Sequence, residues 1–241
     1  MKTGYVILVL MSVLYFSSCE AALTIEGSRI VYSGDQSEAT LRLLNAGDTP
    51  VVIQAWVDDG APQSTPESAG ETPVIPLPSL FRIDAARIYS LRLLATHIPQ
   101  PEDRESLYWL NLVEVPATTA SPEAQALMKV KVRIQLKLFY RPASLKKNTG
   151  SQATAQQFRF ERQPGITRLR VTNPTPFYIS YSRAEVVEET GKAVSVARPE
   201  MLAPFESRYF ALAQAMTGKP VLIRYALIND RGEEEMHVKS L

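Results

Sequence analysis

Residues 126–140 read ALMKVKVRIQLKLFY, and this stretch decides the class of fold. Met128, Val130, Val132, Ile134, Leu136 and Leu138 fall on one face of an extended chain. Lys129, Lys131, Arg133, Gln135, Lys137 and Phe139 fall on the other, because successive side chains of a strand point to opposite sides. A helical period would scatter both sets around the axis. The run is longer than the usual strand of about five or six residues. Arg141-Pro142-Ala143 ends it, since proline has no N–H to give a central ladder.

The same period of two extends in both directions. Upstream, Thr40-Leu41-Arg42-Leu43-Leu44 alternates and stops at the turn cluster 45–50 (NAGDTP). VVIQAWV (51–57) follows and ends in Asp58-Asp59-Gly60. Segments 87–93 and 107–115 are further strand candidates, and 61–78, rich in Pro, Ser and Gly, reads as a long loop. Trp56 on an early strand is expected in the sandwich core, where large aromatics dominate. Downstream, strands are expected at 157–161, 167–172, 177–187, 193–196, 206–212 and 221–228. Asn173-Pro174-Thr175-Pro176 punctuates them, and Asn229-Asp230-Arg231-Gly232 signals a hairpin before the last strand. Short strands separated by turn signals, with almost no sustained helical period, predict an all-β chain with β-sandwich architecture. The expected domain boundaries are 22–143 and 157–241, joined by a polar linker at 144–156 (SLKKNTGSQATAQ).

At the start of the chain, Lys2 precedes an apolar run from Tyr5 to Phe16, and Cys19 and Ala21 supply small residues at −3 and −1 of a cleavage site. That order predicts a signal peptide over 1–21, too short for a comfortable membrane span. Cys19 is the single cysteine, so the chain beyond it has no disulfide, cysteine nucleophile or thiolate metal site. The formal net charge of +1 argues against a nucleic-acid binder that needs a basic face. His97 and His237 are the two histidines and have no metal-ligand spacing around them. Glu233-Glu234-Glu235 reads as a solvated turn. Neither a nucleophile elbow, a zinc-protease helix nor a phosphate-cradling glycine loop occurs. Nothing in the residues supports catalysis, a metal or a cofactor.

The alternating run therefore carries the functional question. Its plain reading is an ordinary strand with apolar residues on its own core and charges in water. Its length favours a second reading, in which the apolar face extends past one sandwich and an exposed strand offers unpaired backbone groups to another chain. Lys129, Lys131 and Arg133 read as solvent-facing charges on either view.

Two motifs are specific. KLFYRPA (137–143) resembles the end of the G1 strand of the periplasmic pilus chaperones of the chaperone–usher pathway, and DRESLYWLNL (103–112) resembles a second family motif. NPTPFY (173–178), Gln54-Ala55-Trp56 and Arg29 before an alternating run match in the family's order. The resemblance covers the chain beyond the signal segment. It implies two immunoglobulin-like domains in an L shape and a non-enzymatic periplasmic chaperone that lends its G1 strand to pilus subunits and delivers them to an outer-membrane usher. It implies Met128, Val130 and Val132, with Ile134 as a fourth, as the donated side chains. It implies Arg29 and Lys137 as the anchor for the subunit's C-terminal carboxylate, and Glu105, Arg141 and Asp230 as an interdomain ionic network. Each donated side chain is worth roughly 1.5–3 kcal/mol before ordering costs are subtracted. The short segment 116–127 resembles the short-loop subgroup, and the resemblance leaves open whether the free protein self-associates. The alternatives are an exported subunit or adhesin-like β-sandwich, and a secreted hydrolase or lectin. The first needs an incomplete last strand or a donor extension, and the second needs clustered acids, histidines or a metal loop.

Overall fold

The computed structural model describes residues 23–115, 132–148, 152–163 and 166–241. The expected signal segment, the loop 116–127, Met128 and Val130 lie outside the described residues. Among the described residues, nine strands form the first domain: β1 (Leu23–Ile25), β2 (Arg29–Ser33), β3 (Glu38–Asn45), β4 (Val51–Asp58), β5 (Val74–Leu77), β6 (Leu80–Ile83), β7 (Ile88–Ala95), β8 (Ser106–Val115) and β9 (Arg133–Arg141). The second domain holds β10 (Gln157–Gln163), β11 (Ile166–Thr172), β12 (Ile179–Glu188), β13 (Ala193–Ser195), β14 (Met201–Leu202), β15 (Ser207–Phe210), β16 (Pro220–Ile228) and β17 (Glu234–Ser240).

Each domain is a pair of sheets. In the first, β1-β3-β7-β5 faces β2-β9-β8-β4-β6. In the second, β10-β11-β15 faces β13-β12-β16-β17, with β14 also on β12. Alternation decides which side chains enter. Tyr32, Leu43, Ile53, Leu91, Leu93, Leu110, Leu112 and Leu138 fill the first core, and Leu169, Val171, Val186, Ile223 and Tyr225 the second.

Two turns show how polar residues fix the frame. Buried Asn45 donates from Nδ2 to the carbonyls of Thr49 (2.8 Å) and Ile83 (3.2 Å) and accepts from the Gly47 amide (3.0 Å). Asn173 does the same for the NPTPF turn, donating to the carbonyls of Phe177 (2.7 Å) and Ala203 (2.8 Å) and accepting from the Thr175 amide (3.1 Å). In both, one amide side chain stands in for the ladder that the turn lacks.

Four expectations are corrected. The expected loop 61–78 contains strand β5, which pairs with β7 from Val74↔Ala95 to Leu77↔Arg92; its prolines masked the pattern. Part of the expected linker carries structure: a 3₁₀ turn spans Ala143–Asn148 and a helix, α1, spans Gln152–Ala155. Gln156 is buried and bonded to Asn173 and Tyr181, so this end is fixed to the second domain. The acidic run 233–235 is exposed, as expected, but it is not a turn. Glu234 and Glu235 open β17, with Glu234 bonded to Ser182 and Arg183 and Glu235 to Asn229. Trp56 is buried but outside the sandwich core, on the outward face of β4, for the reason given below.

Candidate functional site

Strand β9 has two neighbours over only part of its length. β8 pairs with it antiparallel from Ser106↔Tyr140 to Val113↔Arg133. β2 pairs with it on the other side, in parallel, from Arg29↔Lys137 to Ser33↔Arg141. Among the described residues, Arg133–Leu136 therefore has an open edge facing away from β8. A parallel neighbour starting at Arg29 leaves the preceding stretch of that edge free for another strand.

Arg29 and Lys137 stand opposite each other where the open edge meets β2. The Arg29 guanidinium lies 5.6 Å from the Phe139 ring centroid and donates from Nη1 to the Ile228 carbonyl of the second domain (3.0 Å). Its Nε is buried without a partner. The Lys137 ammonium lies 5.7 Å from the Trp109 ring centroid, an attraction between cation and ring face. Among the described residues neither cation forms a salt bridge. Burial, and then the charge of Arg29, lower the pKa of Lys137 below the usual lysine value. Burial also lowers Arg29, against the pull of Asp230 and Glu105. Two half-buried cations held side by side form a site suited to an anion.

Trp109 is held in turn by Gly60. That residue has φ +91°, and a Cβ there would stand 2.4 Å from the indole Nε1, so glycine is required on both counts.

Behind Arg29 a cleft of about 400 Å³ separates the domains. Arg29, Phe139 and Arg141 line it from the first domain, and Ser180, Asp230 and His237 from the second. Lys137 does not line it. At its base, Arg141 donates from Nε to Glu105 (2.7 Å) and from both terminal nitrogens to Asp230 (2.7 and 2.9 Å). Glu105 also accepts from the Tyr178 amide (2.8 Å), while its own amide donates to the Pro176 carbonyl (2.9 Å). The turn organised by Asn173 thus brings two backbone groups of the second domain to one residue of the first, the Tyr178 N–H to the Glu105 carboxylate and the Pro176 carbonyl to the Glu105 backbone N–H. Arg141 loses solvation, but its bonds to Asp230 and Glu105 hold its pKa above the usual value. Burial raises the Glu105 pKa, against the opposing charge of Arg141. The structure brings Glu105, Arg141 and Asp230 into direct contact.

The donor residues divide. Met128 and Val130 lie outside the described residues. Val132 is 48% exposed. Ile134 is half-buried and packs on the first domain's own core, and Leu136 and Leu138 belong to that core.

Arg133 is no solvent-facing charge. It donates from Nε to Asn111 Oδ1 (2.9 Å), from Nη2 to Asp58 (3.1 Å) and from Nη1 to the carbonyls of Pro62 (3.0 Å) and Ser64 (3.2 Å). Its guanidinium lies 5.0 Å from the Trp56 ring centroid. Asp58, 1% exposed, also accepts from Trp56 Nε1 (3.0 Å), the Gly60 amide (2.8 Å) and Asn111 Nδ2 (2.7 Å). Trp56 is thus buried beneath an arginine on the outer face of the sheet. Sequence reasoning missed this cluster. The available signal was Trp56 next to Val57, two large apolar residues on opposite faces of one strand; the structure buries Ala55 through Asp58 without a break.

Comparison with known proteins agrees with this architecture. Residues 22–146 match the model of the pili and flagellar-assembly chaperone, PapD N-terminal domain, and residues 153–239 match that of the pili assembly chaperone PapD, C-terminal domain. A probable fimbrial chaperone YadV of Escherichia coli is 34% identical, covering 90% of this chain and 89% of its own. The chaperone protein FimB/FhaD of Bordetella pertussis is 35% identical, covering 79% and 77%. The crystal structure of the Pseudomonas aeruginosa CupB2 chaperone superposes with a TM-score of 0.72 at 34% identity, covering 90% of this chain and all of that one. The SafB chaperone of Salmonella enterica, solved in complex with the SafA pilin, superposes with a TM-score of 0.72 at 25% identity, covering 93% and 99%. The two-domain all-β chain belongs to the pilus-assembly chaperones, a family of non-enzymatic fimbrial chaperones.

Proposed function

We propose that this chaperone captures pilus subunits by adding the β9 edge and the residues before it as a strand of the subunit. The observation that carries this reading is the one-sided pairing of Arg133–Leu136, ended by Arg29 and Lys137. Main-chain hydrogen bonds to the open edge supply affinity, and alternate side chains supply fit. Met128, Val130 and Val132 are the donated residues, with Ile134 at the limit because it also packs on its own core. Arg29 and Lys137 take the subunit's C-terminal carboxylate. β2 runs parallel to β9 from Arg29 onward, and a guest strand laid in line with β2 and running in the same direction meets Arg29 with its C-terminal end. Charge-assisted hydrogen bonds to a carboxylate relieve the like-charge contact and fix the register.

The Glu105–Arg141–Asp230 network orients the domains. The site of action is the periplasm, reached by the signal segment 1–21, and the complex is handed to an outer-membrane usher. No helix among the described residues is long and apolar enough to cross a membrane. The solved complex of a similar chaperone with its pilin supports subunits as the partner class.

The test is co-purification with a pilus subunit from periplasm. Wild-type protein is expected to retain the subunit, and Arg29→Ala and Lys137→Ala are expected to lose it with both domains folded. Subunit yields equal to wild type in both variants would overturn the anchor.

A further inference from the structure

Among the described residues, four cations of β2 and β9 lie over aromatic rings. Arg133 stands 5.0 Å from the Trp56 centroid, Lys137 5.7 Å from Trp109, Arg29 5.6 Å from Phe139 and Arg141 5.1 Å from Phe177. Two of the four also hold carboxylates, Arg133 on Asp58 and Arg141 on Glu105 and Asp230. Among the described residues, Arg29 and Lys137 hold none. The difference has a chemical meaning. A carboxylate neutralises the cation it orients. A ring face attracts a cation through its quadrupole and brings no counter-charge, so the cation is aimed and stays available to an anion.

The rings turn the two unpaired cations in different directions. β9 lies between β2 and β8. Arg29 comes from β2, and its guanidinium lies against Phe139, two residues along β9 from its own strand partner Lys137. Lys137 leans the other way, over Trp109, its cross-strand partner on β8. The divergence shows in the cleft, which Arg29 and Phe139 line and Lys137 and Trp109 do not. A lysine here has reason to move, since its stem is long and flexible and both burial and Arg29 oppose its charge.

Trp109 is half-buried and is no part of the first domain's core. Its backbone sits between Asp58 on β4 and Lys137 on β9. Buried Asp58 accepts from the Gly60 amide (2.8 Å). Gly60 in turn brings bare backbone to the indole edge, where a Cβ would stand 2.5 Å from Cδ1. A chain of contacts therefore runs from Asp58 through Gly60 and Trp109 to the Lys137 ammonium.

We propose that Trp109 is a positioning residue of the anchor: its ring draws the Lys137 ammonium toward β8, away from β2, and so sets in advance the gap that a two-oxygen carboxylate bridges. This rests on the carboxylate-anchor reading and adds the group that fixes its spacing. The gain is pre-organisation, because a flexible lysine held in place before the guest arrives loses less freedom on binding.

The test replaces Trp109 site-specifically by tryptophans carrying one to four ring fluorines, which keep the ring's shape and drain charge from its face. In the full-length protein labelled with 13C-lysine, and assigned with Lys137→Met, the Lys137 pKa is expected to fall with each fluorine, because the ring supports only the charged form. The second readout is the Kd for N-acetyl-trialanine as the free acid, by isothermal titration calorimetry, with the C-terminal amide as control. The Kd of the acid is expected to rise about threefold over the series and about fivefold in Trp109→Leu, with Trp109→Tyr close to wild type. Because fluorine barely alters packing, the series reads the ring's charge even where Trp109→Leu unfolds. A Lys137 pKa that stays level across the series overturns the ring's hold on the ammonium. A falling pKa with a constant Kd for the acid overturns the positioning role and leaves the anchor standing. Equal affinity of the wild type for acid and amide overturns the anchor itself, and with it the role given to Trp109.

Discussion

At the residue scale, the proposed anchoring role and stability pull apart at Lys137. Its pKa is lowered by burial and by Arg29, so the folded chain holds its proton less tightly than the unfolded chain does. Between the lowered pKa and 10.5 the unfolded state binds more protons, and stability rises with pH through that window. Lys137→Met keeps the apolar stem and removes this dependence. It is expected to melt no lower than wild type near neutral pH while losing subunit capture, which differential scanning fluorimetry and co-purification measure together. Wild-type capture itself is expected to fade as pH rises through the lowered pKa, because the carboxylate needs the charged ammonium.

Asp58 presents the opposite case. It accepts from four donors, and Asp58→Ala leaves Arg133 without its carboxylate. A loss of roughly 3 kcal/mol in urea unfolding is expected, that being the scale for breaking a buried pair. Of these residues, the KLFYRPA motif singled out Lys137, and the structure sets it opposite Arg29. Arg133 was not legible, because its partners come from β4, β8 and the segment after β4, and only strand register brings them together.

At the scale of the element, β9 combines two kinds of strand. From Lys137 onward it is central, with β2 and β8 on either side; over Arg133–Leu136 it is an edge. Hydrogen exchange on the free protein is expected to show slow amides throughout 137–141. Over 133–136 it should show fast exchange at those amides that point away from β8. Subunit binding is expected to slow the fast set alone. Uniform protection of 133–136 in the free protein would contradict the open edge.

Alternation made this strand and most others readable, because each has one face on a core. It gave no warning that the outer face of β4 and β9 is also covered, by Arg133 over Trp56. Nor did it reveal β5, where Pro73, Pro76 and Pro78 hide four residues of pairing. The apolar face that looked continuous from Met128 to Leu138 is divided by burial. Leu136 and Leu138 are core, and Val132 is exposed. Periodicity reports which side a residue takes, and the depth of the sandwich decides what meets it there.

For the molecule as a whole, a set of specific contacts joins the two domains. Gly232 of the hairpin before β17 lies against Ser28 of the first domain; a Cβ there would stand 2.5 Å from Ser28 Oγ, and φ is +85°. Beside it are the Arg141 bonds to Glu105 and Asp230 and the Arg29 bond to the Ile228 carbonyl. Glu105 has a raised pKa through burial. Between 4.5 and that raised value the folded state binds more protons, so its contribution makes stability fall as pH rises through the window. Glu105→Gln is expected to flatten this part of the melting-temperature profile relative to wild type, with the profiles parallel elsewhere. Asp230→Ala is expected to leave both domains folded and broaden the interdomain distance distribution measured by spin labels. The network was legible as a motif; the backbone groups of Pro176 and Tyr178 that complete it depend on the Asn173 turn.

The parallel start of β2 at Arg29 has a consequence for which guests are admitted. Because β2 already occupies the rest of that edge, a visiting strand cannot run on past the two cations. On the proposed carboxylate anchor, the chaperone works as a ruler whose zero mark is the visitor's terminus, indifferent to much of the visitor's sequence but strict about where it stops. A subunit carrying a few extra residues after its natural end is expected to be refused, whatever those residues are.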